Sequence, residues 1–523
     1  MTTPGRTDGP LVTVLVPTFN RRWTLREALG SLAAQTYANF EALVVNDGGV
    51  SVRDIVDRLA DPRVVLTERE ANRGKAASLN EALAHARGTY VAYLDDDDIL
   101  YPHHLQRLVE TLEAQDDCGV AYTDLYKVHY RKGPGGRREV LGKVVSVSRD
   151  FDRFFLCCFN HTLHVSVMHR RDLLERTGPY DESLAVLIDW DMTRRLAFFT
   201  DFVHVPEVTG EFYAAVKGSD RLSEKGRQDR QAFIATTLAI RAARPPKPWP
   251  KMPDLSVVLL PGDAPAAGDL IRNVYAWTFM PYAVYLPMPE AALGRLRIGL
   301  PNFVPVPTPP GADPAARLDA ALARLEGDHV AVVPPDTAFG IVWAEDALHA
   351  SLGSDGRTAF ALQREGDSPG DPGFVMPADA LRRVREASAG APVVESLRAA
   401  GVTVRPPTPE EQSLRFDRAL QQAEGLEQEG NWLRAADCYR RMAEAFANTR
   451  WMAYRRARAL YEAGGRDADA LDLCRDLNRR QPTADTLLLE ARLHRRAERV
   501  RDAVDRLQHA RRILVPEKGT PCN

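Results

Sequence analysis

The sequence predicts an α/β chain in three parts. The first, over 1–245, is a mostly parallel sheet with helices on both faces; the second, over 255–408, is a smaller α/β unit; the third, over 409–516, is an all-α helical repeat region. Three observations carry this expectation. Strand signals alternate with helix signals from "LVTVLVP" onward, the pattern of strand–helix–strand units. A proline-rich stretch, "RPPKPWPKMPD" (244–254), then breaks the alternation and reads as a stiff, extended linker over 246–254. After 408 the strand signals stop, and Ala, Arg, Leu and Glu recur at helical spacing.

Bulk composition fits that plan. A chain of 523 residues is too long for one core, and 45% hydrophobic with 27% charged residues is ordinary for a globular protein. The net charge of -3 and the lack of a basic stripe with interleaved aromatics give no footprint for nucleic acid. The six cysteines show no metal-ligand spacing, so reduced thiols in a cytosol are expected. The start "MTTPGRTDGP" is polar and does not read as a signal peptide. No apolar run approaches the roughly 20 residues of a membrane helix. The expected location is cytoplasmic, with peripheral attachment at the inner face of the membrane as the second option. The tail over 517–523 reads as flexible.

In the first part, "LVTVLVP" is a buried strand and a helix follows from about Trp23 to Gln35. "FEALVVND" is a second strand, and the helix "SLNEALAHA" leads into the aromatic, β-branched strand "GTYVAYL". The second part echoes the first: "LDAALARLEGDHVAVVPPDTA" (318–338) matches "LNEALAHARGTYVAYLDDDDI" (79–99) without a gap. Asp97 faces Asp336, but Asp95 faces Pro334, Asp96 faces Pro335 and Asp98 faces Thr337. The reading is an internal duplication whose second copy has lost most of its acids and is inert. In the third part Ala436, Ala470 and Ala503 recur at close to 34 residues, the tetratricopeptide period. Small residues at fixed places let paired helices approach closely and stack. Such an array binds a protein partner or self-associates.

The stretch that calls for chemistry is "AYLDDDDILYP" (92–102). Four carboxylates directly follow a strand buried on both faces, at the edge where open α/β sheets bind ligands. Two such charges about 5 Å apart repel by about 3 kcal/mol at an effective dielectric near 20. A divalent cation is the simplest answer to that repulsion. Alternation along extended chain puts Asp95 and Asp97 on one side, and hard carboxylate oxygens suit Mg2+ or Mn2+. An acidic loop that caps the next helix is the other reading, with Asp98 before "ILYPHHL" as the cap or as a supporting residue.

Four ordered motifs over about 10–240 carry a family resemblance: "VLVPTFNR", "QTYANFEALVVNDGG", "NRGKAASLNEALAHARGTYVAYLDDDD" and "GPYDESLAVLIDWDMTRRLA". In this order and spacing they resemble the family 2 glycosyltransferases, whose catalytic domain has the Rossmann-like GT-A fold. The resemblance implies an inverting, metal-dependent transfer of a sugar from a nucleotide-diphospho-sugar to an acceptor hydroxyl, with uridine the family's commonest base. By resemblance Pro17, Thr18 and Phe19 contact the base or ribose, and Asp47 hydrogen-bonds the base. Asn72, Arg73 and Lys75 stand where two cations and a helix start could meet phosphate oxygens. The Asp-any-Asp motif falls on Asp95, toward ribose and metal, and Asp97, on the metal, with Asp96 between them.

The family's general base falls on Asp189, although Ile188 stands where the family has Glu. Asp191 is the fallback, and a structural Asp189 pairing with Arg194 or Arg195 is the competing reading. His161 and His164, on a stretch that reads as a strand, are core residues or touch acceptor or metal. The polar loop after the base offers Lys217 and Arg221 as closing cations. A scaffold that binds nucleotide sugars and acts only through its helical repeats is the alternative function. A nucleotidyltransferase is a weaker third, because the Gly-rich loop expected near its N-terminus is missing.

Overall fold

The computed structural model describes residues 9–514 apart from 134–136, 146–147, 217–228, 262–263, 278–281, 297, 300–301, 341, 364–371 and 447–448. Lys217, Arg221 and the tail over 517–523 lie outside the described residues.

The first nine strands form one mixed sheet. Strands β1 (Val12–Thr18), β2 (Phe40–Asn46), β3 (Val64–Glu68) and β4 (Tyr90–Tyr93) run parallel in the order β3-β2-β1-β4. Helices Arg22–Ala33, Arg53–Leu59 and Lys75–His85 connect them. Their side chains divide with period two, as a strand covered on both faces requires. Leu15, Leu43, Val91 and Tyr93 enter one core cluster, while Val14, Val16, Val44 and Ala92 enter the other. Beyond β4 the sheet continues through β8 (Val167–Arg170), β6 (Cys118–Lys132), β9 (Asp201–Ala215) and the short β5 (Ile99–Leu100), with β7 (Arg138–Val145) paired to β6. β8 is antiparallel to both β4 and β6.

The second sheet has seven strands: β10 (Leu255–Leu259), β11 (Tyr282–Met288), β12 (Phe303–Pro307), β13 (His329–Val333), β14 (Thr358–Ala361), β15 (Phe374–Pro377) and β16 (Thr403–Arg405). Its order, β12-β11-β10-β13-β15-β14-β16, starts with the same parallel four-strand arrangement as the first. The likeness extends to single bonds. In the first sheet the Gly88 amide donates to the Thr13 hydroxyl at 2.9 Å, and in the second the Gly327 amide donates to the Ser256 hydroxyl at 3.2 Å. A Cβ on Gly88 would lie 2.5 Å from the Thr13 amide nitrogen, and one on Gly327 2.6 Å from the Ser256 hydroxyl. Only glycine allows the approach. One core cluster runs through both sheets, joining Trp190, Phe198 and Phe202 to Leu255, Val257 and Tyr282.

After Leu414 the described chain forms helices Arg415–Gln428, Trp432–Ala445, Thr449–Ala463, Asp467–Arg480, Ala484–Arg496 and Val500–Leu514. Ala436, Ala470 and Ala503 are buried, one on every second helix. This region leans on the first sheet. The Gln481 side chain accepts from the Val208 amide at 3.1 Å and donates to the Val208 carbonyl at 3.2 Å. Arg149 donates to Asp417 at 2.7 Å, and Ile513 packs on Tyr126, Val128, Tyr130, Val208 and Tyr213.

Candidate active site

The carboxyl ends of β1, β2 and β4 converge, and the loops leaving them hold the candidate residues. After β4 the chain turns at once: the Asp98 amide donates to the Asp95 carbonyl at 3.1 Å. The turn divides the four acids. Asp96 points back to the loop after β1. It accepts from the Thr18 hydroxyl at 2.8 Å, from the Phe19 amide at 3.4 Å and from Arg21 at 3.1 Å. Asp95, Asp97 and Asp98 each bring one carboxylate oxygen into a group whose members all lie within 4.8 Å of one another. A group of hard oxygens at that spacing fits a divalent cation of the Mg2+ or Mn2+ class. Asp98 is therefore not the cap of the next helix, because β5 intervenes and the residue before helix His104–Glu113 is His103. Asp98 instead accepts from the Tyr213 amide of β9 at 3.1 Å.

Cations crowd round these acids. Lys75, the first residue of its helix, donates to both oxygens of Asp95 at 2.6 and 2.8 Å. Arg21 reaches Asp97 at 2.8 Å. Arg138, stacked 3.9 Å over the Tyr213 ring, donates to the Asp97 carbonyl at 2.7 Å. Burial works against ionised Asp95, but the Lys75 ammonium outweighs it and holds the carboxyl well below the usual range. Burial likewise works against charged Lys75, yet Asp95, Asp189 and Asp97 together raise it above an ordinary lysine. For Asp96 burial wins: even with Arg21 pulling the other way, its carboxyl is pushed up to about 6.

Around this centre the other expected residues fall as follows. Pro17 and Thr18 end β1, and Phe19 stands 43% exposed beside them. Asp47 is buried at the end of β2 and accepts from Arg69 and from the backbone amides of Arg73 and Gly74, each at 2.8–2.9 Å. It thus fixes the "NRGK" loop, with Gly74 in the left-handed region at φ 95. Asn72 is exposed on that loop, and Arg73 reaches Glu182 at 3.3 Å.

Asp189 lies in the first turn of helix Ile188–Leu196 and accepts from the Asn160 side chain at 2.9 Å. Its charge is among those that favour the protonated form of Lys75. The expected ion pair with Arg194 or Arg195 goes elsewhere. Arg195 binds Asp191 at 2.6 Å and the Thr177 and Pro179 carbonyls, while Arg194 donates to the Ala243 and Arg241 carbonyls. Asp191 is buried in that pair, a structural part of the helix rather than a group free for chemistry. Two residues apart on a helix, the aspartates point about 200° from each other.

The expected strand around the histidines is a short turn, His164–Ser166, before β8. His164 is buried, stacks 4.0 Å from Tyr93, bonds Tyr180 at 3.0 Å and lies 3.9 Å from Asp95. His161 is buried among Tyr122, Phe151 and Phe155. Arg21, Arg138 and Asn160 were given no role from the sequence. Arg21 closes the quoted "VPTFNR" and could have been read from it. Arg138 and Asn160 reach the site only through the tertiary fold.

Comparison with known proteins completes the picture. Residues 13–171 match the family model described as glycosyl transferase family 2. A putative colanic acid biosynthesis glycosyl transferase of Escherichia coli is 34% identical over 38% of this chain and 74% of its own length. The uncharacterized protein y4gI of Sinorhizobium fredii is 33% identical over 36% of this chain, which spans only 20% of that protein. A mannosyltransferase of Pyrobaculum calidifontis, solved with GDP-Man and Mn2+, is 24% identical over 47% of this chain and 68% of its own, with a TM-score of 0.35.

Proposed function

The chain belongs to glycosyltransferase family 2 through its first α/β unit, and we propose that this unit transfers a sugar from a nucleotide-diphospho-sugar to an acceptor hydroxyl with inversion at the anomeric carbon. The observation that carries the reading is the cluster of three carboxylates after β4, braced by Lys75 on Asp95. Thr18 and Phe19 line the mouth where the nucleoside would lie, and Asp47 shapes it by pinning the "NRGK" loop. Asn72, Arg73 and Lys75 face the place of the diphosphate at a helix start, where backbone N–H groups favour anions. Asp95, Asp97 and Asp98 would hold Mn2+ or Mg2+. Such an ion, when bound, acts as a Lewis acid on the leaving diphosphate.

Asp189 takes the proton of the acceptor hydroxyl as that oxygen attacks from behind the leaving group. One base and one displacement invert the centre. Asp96, tied to Thr18 and Arg21, acts as a strut that couples the acidic turn to the loop after β1. The second α/β unit is an inert duplicate of the first. The helical region is a tetratricopeptide-like array that meets a protein partner or a second copy. The likeness to a putative colanic acid enzyme favours cell-surface polysaccharide as the product and a cytoplasmic location, at or near the inner face of the membrane. A UDP-sugar is the first donor to try.

The test incubates the full chain with UDP-glucose, UDP-N-acetylglucosamine and GDP-mannose, with and without Mn2+, and measures release of nucleoside diphosphate. Metal-dependent release from one of them is the expected result. Calorimetric binding of a sugar nucleotide without release under any condition would instead favour a scaffold that works through its helices.

A further inference from the structure

Asn160 was not among the residues expected to act, yet it is the side chain that holds the proposed base. Its Nδ2 donates to Oδ2 of Asp189 at 2.9 Å. The orientation of its carboxamide follows from Thr162, whose backbone amide and hydroxyl both lie 3.3 Å from Asn160 Oδ1. A backbone amide is only a donor, so Oδ1 must face Thr162 and the NH2 group must face Asp189. Thr162 is 1% exposed, which makes it a firm anchor. The spacing between the two loops is set by a second bond: the Trp190 indole N–H, one residue after the base, donates to the Leu156 carbonyl at 2.7 Å. Leu156 and Trp190 are both in the core. Asn160 and Asp189 thus stand on two elements stitched together immediately behind them. Among the described hydrogen bonds, Oδ1 of Asp189 takes none, which leaves one oxygen held and the other for a ligand.

We infer that Asn160 is a positioning residue for the reaction: it fixes the rotamer of Asp189, so that one carboxylate oxygen is presented to the acceptor hydroxyl. This rests on Asp189 being the base. Removing Asn160 frees that rotamer and spoils the approach to the acceptor. The effect shows in kcat rather than in KM, since it does not touch the contacts of the sugar nucleotide.

The experiment measures kcat and donor KM for the wild type, Asn160→Ala, Asn160→Asp and Asp189→Asn, using whichever of the three sugar nucleotides is turned over. Asn160→Ala should lower kcat about tenfold and leave donor KM unchanged. Asn160→Asp, of the same shape but with a like charge in place of the N–H donor, should lower kcat at least as far, again with donor KM unchanged. Asn160 is exposed, so melting temperatures should stay within a degree or two of the wild type, roughly the scatter of neutral surface changes. Unchanged kcat in both variants, with Asp189→Asn inactive, overturns the positioning role and leaves the base in place. Retained turnover in Asp189→Asn overturns the base itself, and no turnover by the wild type removes both. A fall in kcat that tracks a fall in melting temperature, with donor KM rising alongside, assigns Asn160 to folding alone and also overturns the inference.

Discussion

After β4 the amide of Asp98 donates to the Asp95 carbonyl at 3.1 Å, and after β13 the amide of Thr337 donates to the Pro334 carbonyl at 3.3 Å. The two strands sit at the same place in their sheets, each between the first strand of its unit and an antiparallel neighbour. What hangs on the shared turn differs. The first carries Asp95, Asp96, Asp97 and Asp98, braced by Lys75, Arg21, Arg138 and the Tyr213 amide. The second carries Pro334, Pro335, Asp336 and Thr337, and the Thr337 hydroxyl closes its turn on the Pro334 carbonyl at 2.9 Å. The backbone needs only the hydrogen bond at the turn, and neither proline is asked to donate it. The turn therefore forms without the acids, and the cations around the first turn answer a charge problem the second does not have.

The sharpest way to break that contrast is to make the first turn like the second. Asp97→Ala removes one of three clustered carboxylates and, on the proposed function, should lower metal-dependent turnover by about a thousandfold or more, the scale of several kcal/mol of lost charge stabilisation. Calorimetry should show loss of Mn2+-supported donor binding. Asp189→Asn comes next: turnover should fall by about a hundred- to ten-thousandfold while donor binding measured by calorimetry is unchanged.

Asp96→Asn probes the electrostatic burden instead. Its carboxyl is raised from 3.8 to about 6, first by burial, so the folded chain binds this proton more tightly than the unfolded one. The group thus lowers stability as pH rises from about 4 through about 6, and the penalty is fully present at neutral pH. Removing it should raise stability at pH 7 relative to pH 4 by up to about 3 kcal/mol at 1.36 kcal/mol per pH unit, read from denaturant titrations at the two pH values. Arg21 still finds Asp97 at 2.8 Å, so the substitution does not orphan it. Pro335, at the corresponding place, carries no such penalty. The smallest effect belongs to Asp336→Ala, which should leave turnover within twofold of the wild type if the second turn is inert; a larger loss would mean that the second unit takes part in catalysis.

How much of this was legible in the sequence follows from the range of each interaction. The alternation of Val14, Val16 and Val44 with Leu15 and Leu43 is written in neighbouring residues, and it folds as read. The acidic run was equally plain, because four carboxylates after a buried strand have few explanations. Of the two readings of Asp98, a helix cap or a support for the acidic pair, the cap fails for a local reason: the two residues of β5, paired with Glu211 and Gly210 of β9, were not foreseen. Along the chain Asp189 was preferred to Asp191 by resemblance alone. Their difference lies in Arg195, which captures Asp191, and in Asn160, which reaches Asp189 from 29 residues away.

By itself, then, the sequence determined what repeats or alternates within a few residues: the strands, the connecting helices, the glycines at 88 and 327, the echo between the two units and the acidic turn. Only the tertiary structure decided which carboxylates gather and which are spent on struts, since Asp96 is turned away by Thr18 and Arg21 while Asp98 is turned in by β9. Local pattern is fixed by backbone geometry and burial, which neighbours specify. The fate of a charge is fixed by whichever distant partner the folded chain brings within hydrogen-bonding reach.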